Sequence, residues 1–177
     1  MNNISYALSN HDIENWFLDR FLPKPTVCKY EDFPKNGIIN YPAFILYEWE
    51  PGFGHWTVLF ERNDGILEFF DSFGETADHH ISDTFYNDSI KASRLIVNYL
   101  IKTSRRHNKS TVEVNDIQYQ SPDSFTCGKW CIMKYYLTAV YPLGDSETQS
   151  NLEFEDIFKT DSYEKNDYRI NKVFSMF

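Results

Sequence analysis

The sequence predicts an α+β fold with a central, mainly antiparallel β-sheet and flanking helices. Three observations predict it: apolar residues at helical spacing near the N-terminus, an alternating segment that a turn at residues 63–65 connects to a second strand, and a further helix that begins at Cys127. No linker or shift in composition divides the 177 residues. We therefore expect one domain spanning residues 1–177.

The first helix is predicted from Ser9 or Asn10 as its N-cap, and Pro23 ends it. Its apolar set consists of Ile13, Trp16, Phe17 and Phe21. Residues 37–49 are rich in Ile, Tyr, Phe and Leu, which predicts a core strand. The Pro-Gly-Phe-Gly segment that follows predicts a turn.

A β-hairpin is the predicted element with the clearest functional consequence. Apolar and polar residues alternate from His55 until Asn-Asp-Gly at residues 63–65, and a second strand follows over residues 66–71. A hairpin centred on residue 63 places His55 opposite Asp71, with Cβ atoms about 4.5–5.5 Å apart. A slip of two residues leaves the pair as diagonal neighbours, whereas a slip of one residue places them on opposite faces.

The next predicted elements lead to a loop that contains a glutamine. A helical face is formed by Ile90, Val97, Leu100 and Ile101. Residues 111–119 then predict a short strand, which delivers Gln120 into the loop at residues 121–125.

A buried helix is predicted from Cys127 to residue 141. Thr126 is its expected N-cap, and Pro142 ends it. Its apolar positions are Trp130, Met133, Leu137 and Val140. Residues 144–165 are acidic and polar apart from an apolar patch at residues 152–158, so we expect them to wrap around the surface.

Composition excludes several classes of function. A net charge of −9 argues against nucleic acid as a ligand, and the apolar stretches are too short to span a membrane. The N-terminus lacks the features of a secretory signal, which predicts an intracellular protein. Three scattered cysteines without a CxxC or His-x-x-x-His motif predict free thiols, no metal site and no cofactor.

Four residues together form the pattern of a cysteine hydrolase. Cys127 opens a helix, where free N–H groups and the helix dipole stabilise a thiolate and also face a developing oxyanion. Gln120 can supply a second oxyanion donor from the preceding loop. His55 would take the thiol proton and return it to the leaving amine, while Asp71 orients the imidazole.

Each of these residues also has a structural interpretation. A lone cysteine in an apolar helix is usually a small buried hydrophobe, and this remains our interpretation of Cys131, one turn after Cys127. The alternative for His55 is a purely structural histidine. The alternative for Asp71 is a residue that only caps the turn. Gln118 is an alternative candidate for the oxyanion donor, but only Gln120 lies in the loop.

The other histidines are expected to be solvated because their surroundings are polar. They are His11, His79, His80 and His107. The adjacent pair His79 and His80 has little support as a metal site, since neighbouring side chains diverge in regular elements.

Three motifs in order resemble the adenovirus-type maturation protease family (adenain), in the clan of the ubiquitin-like-protein proteases. They are Gly54-His55-Trp56, Phe70-Asp71-Ser72-Phe73-Gly74 and the segment from Gln120 to Gly128. The resemblance covers most of the chain from the first helix to the Cys127 helix and fades in the tail. It implies the adenain fold, with the nucleophile at the N-terminus of a buried helix, and a thiol protease.

By this resemblance, the family's base, acid, oxyanion residue and nucleophile match His55, Asp71, Gln120 and Cys127. Trp56 matches a tryptophan that follows the base. We assign Trp56, Gly54 and Gly128 to substrate binding or oxyanion support.

Differences within the clan favour its viral branch. Thr126 stands where the cellular relatives usually have Asp, and one more residue separates Gln120 from Cys127 than in those relatives. Asp71 is typical of the cellular members, whereas adenoviral enzymes typically have Glu. Residues 108–114 lack the cysteine that links adenoviral enzymes to an activating peptide. We therefore do not expect this chain to be activated through such a disulfide.

The resemblance implies a viral protease, from a virophage or a related DNA virus, that processes capsid or other virion precursors at Gly-containing sites. Such an enzyme would act in the host cytoplasm or virus factory and be packaged in the virion. A deconjugase of ubiquitin-like modifiers, an acyltransferase and a non-catalytic interaction domain of the same fold remain alternatives.

Overall fold

The computed structural model describes residues 6–34, 39–106 and 112–177. The helices are α1 (Asn10–Asp19), α2 (Asp88–Lys91), α3 (Leu95–Arg106), α4 (Cys127–Tyr135), α5 (Glu147–Phe158) and α6 (Tyr163–Phe174). The strands are β1 (Thr26–Lys29), β2 (Ala43–Glu50), β3 (Phe53–Glu61), β4 (Leu67–Phe70) and β5 (Val112–Val114). Among the described residues, no helix is long and apolar enough to cross a bilayer.

The five strands form one mixed sheet in the order β1-β2-β3-β4-β5. The central pairings, β2 with β3 and β3 with β4, are antiparallel, whereas both edge pairings are parallel. The α+β class is therefore as predicted, but the antiparallel arrangement holds only for the sheet centre. Parallel neighbours require a crossover connection, and α2 and α3 provide it between β4 and β5.

Helices cover both faces of the sheet. Trp56, Val58 and Phe60 of β3 belong to a cluster with residues of α1, α4, α5 and α6. On the other face, Leu59 of β3 shares a cluster with Tyr47 and with residues of α3. Because strand side chains alternate between faces, β3 is buried on both sides.

Helix α1 begins as predicted, but its end differs. The Ser9 hydroxyl accepts the Asp12 N–H, and the Asp12 carboxylate accepts the Ser9 N–H, which makes a capping box. Phe21 was expected in the apolar set, yet it is 97% exposed and has a φ of 55°. This left-handed residue follows the helix end and points its ring to solvent.

The predicted helical face over residues 90–101 is divided between α2 and α3. Arg94, with a φ of 46°, lies between them, and the Asp78 carboxylate accepts the N–H groups of Ile96 and Val97 at the start of α3. Ile101 is exposed, contrary to the prediction.

Three predicted strands are shorter in the structure, and one of them is the strand over residues 66–71, which is β4. The strand over residues 37–49 is β2, which begins at Ala43, and the strand over residues 111–119 is reduced to β5. Residues 37, 38 and 111 lie outside the described part of the chain.

The C-terminal segment does not simply wrap around the surface. It forms α5 and α6, and Phe154, Phe158 and Ile170 are fully buried in the core. The spacing of Phe154 and Phe158, four residues apart, is a helical signal that the acidic composition obscured.

Candidate active site

The hairpin brings His55 to Asp71 in a register two residues from the predicted one. Val58 pairs with Phe70, and Arg62 donates its N–H to Ile66 O over 2.9 Å. The connection is therefore a three-residue loop ending at Gly65 with a φ of 81°, not a turn centred on residue 63. Asp71 becomes a diagonal neighbour of His55, yet the His55 Nε2 to Asp71 Oδ1 distance is 2.8 Å.

Asp71 is fully buried and held from several directions. Its Oδ1 also accepts the Phe73 N–H over 2.8 Å. Asn115 binds its main chain: Asp71 N–H donates to Asn115 Oδ1, and Asn115 Nδ2 donates to Asp71 O. Burial opposes the carboxylate charge, but His55 and His80 outweigh it and hold the pKa of Asp71 well below its usual range. Asp71 is thus an ionised partner for the imidazole as well as a turn residue.

His80 was predicted to be solvated, and this is wrong. Its side chain is buried, and its Nε2 lies 2.8 Å from Asp71 Oδ2. The 3₁₀ turn His79–Asp83 directs adjacent side chains apart, so His79 stays exposed near Glu75 while His80 points inward. His11 is exposed as predicted, and the prediction for His107 falls outside the described residues.

His55, Asp71 and His80 also form a group of the kind that could hold a metal ion. Their ligand atoms lie within 4.8 Å of one another, and all three residues are buried. The two nitrogen to oxygen contacts of 2.8 Å are accounted for as hydrogen bonds. We therefore interpret the group as a hydrogen-bonded network around one carboxylate.

Aromatic rings fix the orientation of His55. Phe73 stacks on the imidazole with ring centroids 4.6 Å apart, and Trp49 lies nearly parallel to it at 6.4 Å. With Nε2 bound to Asp71, Nδ1 is the nitrogen left for the hydrogen bond with Cys127. Burial lowers the pKa of His55, but the charge and hydrogen bond of Asp71 and the contact with Cys127 outweigh it and raise the pKa to about 10.

Cys127 is the first residue of α4 and is only 5% exposed. Its Sγ accepts the Trp56 N–H over 3.5 Å. Thr126 occupies the N-cap position as predicted, but its side chain makes no capping bond and donates instead to Asp167 Oδ1 over 2.6 Å. The N–H groups of the first turn of α4 therefore do not have the Thr126 hydroxyl as their acceptor.

The other cysteines have different surroundings. Cys131 is fully buried, and its thiol donates to Trp56 O over 3.3 Å, so it packs beneath Cys127 as predicted. Burial raises the pKa of the Cys131 thiol well above its ordinary value, and it raises that of Cys28 to about 12. All three cysteines are free thiols.

Gln120 is buried, and its carboxamide is held at both ends. The Ser72 hydroxyl donates to Gln120 Oε1 over 2.6 Å, and Gln120 Nε2 donates to Ser124 O over 2.7 Å. An amide nitrogen carries two hydrogens, so this bond leaves one of them for an oxyanion. Gln118 has a supporting role instead, because its Nε2 donates to Gln120 O.

The turn at residues 71–74 carries the acid and also holds the glutamine. Ser72 O accepts the N–H of Gln120 over 3.1 Å, in addition to the hydroxyl bond. Gly74 has a φ of 74°, and a Cβ there would lie 2.7 Å from the main-chain carbon of Ile117. The close approach of the two main chains therefore requires glycine at this position.

Asp167 of α6 organises the segment in front of the cysteine. Its carboxylate accepts hydrogen bonds from the Ser121 N–H, the Thr126 hydroxyl and the Trp130 indole N–H. These contacts span 37 to 46 residues along the chain. Asp167 was not among the predicted site residues, since no local motif connects it to the Cys127 loop.

The residues assigned to substrate binding or oxyanion support have packing roles in the structure. The Trp56 indole is buried and donates to Leu8 O over 2.9 Å. A Cβ at Gly54 would lie 1.9 Å from Tyr47 O, and one at Gly128 would lie 3.1 Å from the Leu8 side chain. The suggested contribution of these three residues to substrate binding stays a prediction.

Two half-exposed rings connect the hairpin to the Cys127 loop. Phe53 precedes His55 by two residues, and Phe125 precedes Cys127 by two residues. Their ring centroids lie 5.5 Å apart in an edge-to-face arrangement. This contact joins the hairpin to the loop beside His55 and Cys127, whose side chains are both buried.

The comparisons with known proteins indicate a viral origin. No family model matches the sequence. The chain is 31% identical over 144 residues to a protein of Sputnik virophage named uncharacterized protein V9. The matched segment covers 74% of this chain and 76% of the virophage protein. This similarity indicates a virophage protein, in agreement with the predicted origin.

Proposed function

We propose that this chain, which belongs to the family of the Sputnik virophage protein V9, is a cysteine endopeptidase. Cys127 is the nucleophile, His55 the base, and Asp71 the residue that orients the base. The observation that carries the proposal is a 2.8 Å bond between His55 and Asp71, beside a cysteine at a helix N-terminus that hydrogen-bonds the same histidine. Gln120 is the side-chain donor to the oxyanion.

The proposed reaction uses the Cys127 thiolate, whose proton is held by His55 as an imidazolium. The thiolate sulfur attacks the scissile carbonyl carbon, and the oxygen that becomes negative is bound by Gln120 Nε2–H and by main-chain N–H groups at the start of α4. The imidazolium then protonates the leaving amine, which departs and leaves a thioester. A water molecule, deprotonated by His55, hydrolyses the thioester, releasing a carboxylate and restoring the thiolate.

Electrostatics support this sequence of proton transfers. The raised pKa of His55 means that the imidazolium form is favoured once the proton has left Cys127. Asp71 stays ionised and can stabilise that cation throughout the reaction. The helix dipole adds positive potential at the sulfur.

Virion precursor proteins are the substrates we propose. The virophage relative supports a viral substrate class, and the order of the His, Asp, Gln and Cys motifs resembles the adenain family. The five-stranded sheet beside a helix that begins at the candidate nucleophile supports an adenain-like fold. We expect the rings of Phe53 and Phe125, which meet edge to face beside the site, to leave little room for a side chain, which favours glycine in the substrate.

The test compares Cys127→Ala with Cys131→Ala as a matched control in the same helix. Each protein is incubated with virion precursor proteins of a virophage, and new termini are identified by mass spectrometry. We expect new termini with wild type and Cys131→Ala, and none with Cys127→Ala. Identical termini in wild type and Cys127→Ala would show that the protease proposal is wrong.

Two further measurements separate the alternatives. Cleavage of Gly-Gly-ending modifier conjugates but not of virion precursors would replace the proposal with a deconjugase. A thiol-reactive peptide probe should label wild type but not Cys127→Ala. Failure of the probe to label Cys127 in the folded wild type would favour a non-catalytic interaction domain.

A further inference from the structure

We propose that His80 is a positioning residue of this site, which holds the Asp71 carboxylate in the orientation that serves His55. This inference rests on the proposed function and deepens it. It concerns a residue nine positions after Asp71, in an irregular connection.

The two oxygens of Asp71 have different partners. Oδ1 accepts from His55 and from the Phe73 N–H, whereas Oδ2 lies 2.8 Å from His80 Nε2. Asp71 is fully buried, so an oxygen without a hydrogen-bond partner would be costly. Removing the His80 ring would therefore favour rotation of the carboxylate, which would misalign Oδ1 with respect to His55.

The turn that carries His80 is held in place by hydrogen bonds of Asp78. Asp78, just before the 3₁₀ turn, accepts two N–H groups of α3 and donates its own N–H to the Tyr47 hydroxyl. The Tyr47 ring meets the His80 ring edge-to-face at 6.0 Å, and His55 lies 4.5 Å from it. His80 is thus placed by α3, β2 and β3 together, which is the arrangement expected of a residue that must hold another in position.

The surroundings of His80 define a matched control. Its neighbour His79 is exposed, lies 5.4 Å away ring to ring, and pairs with Glu75 at the surface. Apart from His79, the titratable groups whose contacts with His80 are described are Asp71, His55 and Tyr47. Replacing His79 removes a histidine from the same turn without removing a partner of Asp71.

The chemical consequence of this positioning is a more stable imidazolium. When Asp71 is aligned, its charge stabilises the His55 imidazolium beside Cys127. A misaligned carboxylate weakens that stabilisation, so His55 is less able to hold the proton of the thiol, and alkylating agents react with the thiolate.

The experiment measures alkylation of Cys127 by iodoacetamide as a function of pH, with the modified residue quantified by mass spectrometry. The proteins are wild type and the variants His80→Ala, His80→Gln, His80→Asn, His79→Ala and His55→Ala. We expect His80→Ala to slow alkylation at pH 7 about tenfold and to move the rise in rate to higher pH. His80→Gln, whose Nε2–H can replace that of histidine, should restore the rate to within about twofold.

The possible outcomes distinguish a failure of the proposed function from a failure of the role of His80. If His55→Ala alkylates at the wild-type rate, the proposed function fails. If wild type is faster than His55→Ala but folded His80→Ala matches wild type, only the role of His80 is wrong. If His80→Ala does not fold, the comparison of His80→Gln with His80→Asn decides, since the shorter amide should not reach Asp71. Equal rates for these two variants would also overturn the inference.

Discussion

The two sides of the candidate site are built in different ways. On the hairpin side, His55 lies on β3 and Asp71 directly follows β4, 16 residues later. On the loop side, Gln120 and Cys127 are positioned by contacts that reach 48 residues to Ser72 and 46 residues to Asp167. The hairpin therefore brings His55 to Asp71, with Asn115 and His80 as further support, whereas Gln120 and Cys127 are positioned by long-range contacts alone. Substitutions on the two sides should therefore differ in their effects on activity and on stability.

The largest effect is expected on the hairpin side. Asp71→Asn keeps the shape of the side chain but removes the charge that stabilises the His55 imidazolium. We expect kcat/KM to fall by about 10³ to 10⁴ for a peptide spanning a mapped cleavage site. A loss smaller than about tenfold would mean that Asp71 serves the turn and not the reaction.

On the loop side, Gln120→Ala should lower kcat by about 10² to 10³ while leaving KM little changed, because the donor acts on the transition state. Gln118→Ala is the control: this side chain supports Gln120 O only. Similar losses for the two variants would indicate that the loop conformation, not the Gln120 donor, matters.

Asp167→Asn tests the distant support of the loop side. The variant weakens hydrogen bonds to the Ser121 N–H and the Thr126 hydroxyl, so we expect a loss of about 2 kcal/mol in the free energy of unfolding. We also expect about a tenfold fall in kcat/KM, measured beside urea unfolding. Asp161→Asn, at an exposed pair with Lys165, should change neither quantity. Equal behaviour of the two variants would contradict the role of Asp167.

The smallest expected effect is the pH dependence of stability on the hairpin side. The pKa of His55 is raised from 6.5 to about 10, so its contribution is complete below pH 6.5 and is lost as pH rises through 10. The pKa of Asp71 is lowered from 3.8, so its contribution is present above pH 3.8 and is lost in acid. The free energies of unfolding in urea of wild type and Asp71→Asn should differ most between pH 3.8 and pH 6.5, where both contributions are present. A constant difference up to pH 10 would argue against the ion pair.

The same contrast explains what could be predicted from the sequence. The Ser9 cap, the proximity of His55 to Asp71 and the helix start at Cys127 follow from short-range patterns. The hairpin register was missed by two residues because Asn-Asp-Gly is compatible with loops of more than one length, and the loop here ends at Gly65 in the left-handed region.

The residues that sequence patterns missed depend on tertiary contacts. His80 lies in a connection without periodicity, and its inward direction is set by the anchoring of Asp78 on α3. Asp167 reaches the Cys127 loop only because α6 packs on α4, which no spacing in the acidic tail indicates. The parallel edges of the sheet likewise depend on crossovers and not on strand composition.

The contacts at Gly54 and Gly74 have a consequence for recognising distant relatives. At each position the main chain of another segment occupies the space that a Cβ would need. A substitution at either glycine would displace the residue beside it, His55 in one case and the turn of Asp71 in the other. In diverged virophage genomes, these glycines should therefore be inherited together with His55 and Asp71, even where the surrounding sequence has changed beyond alignment.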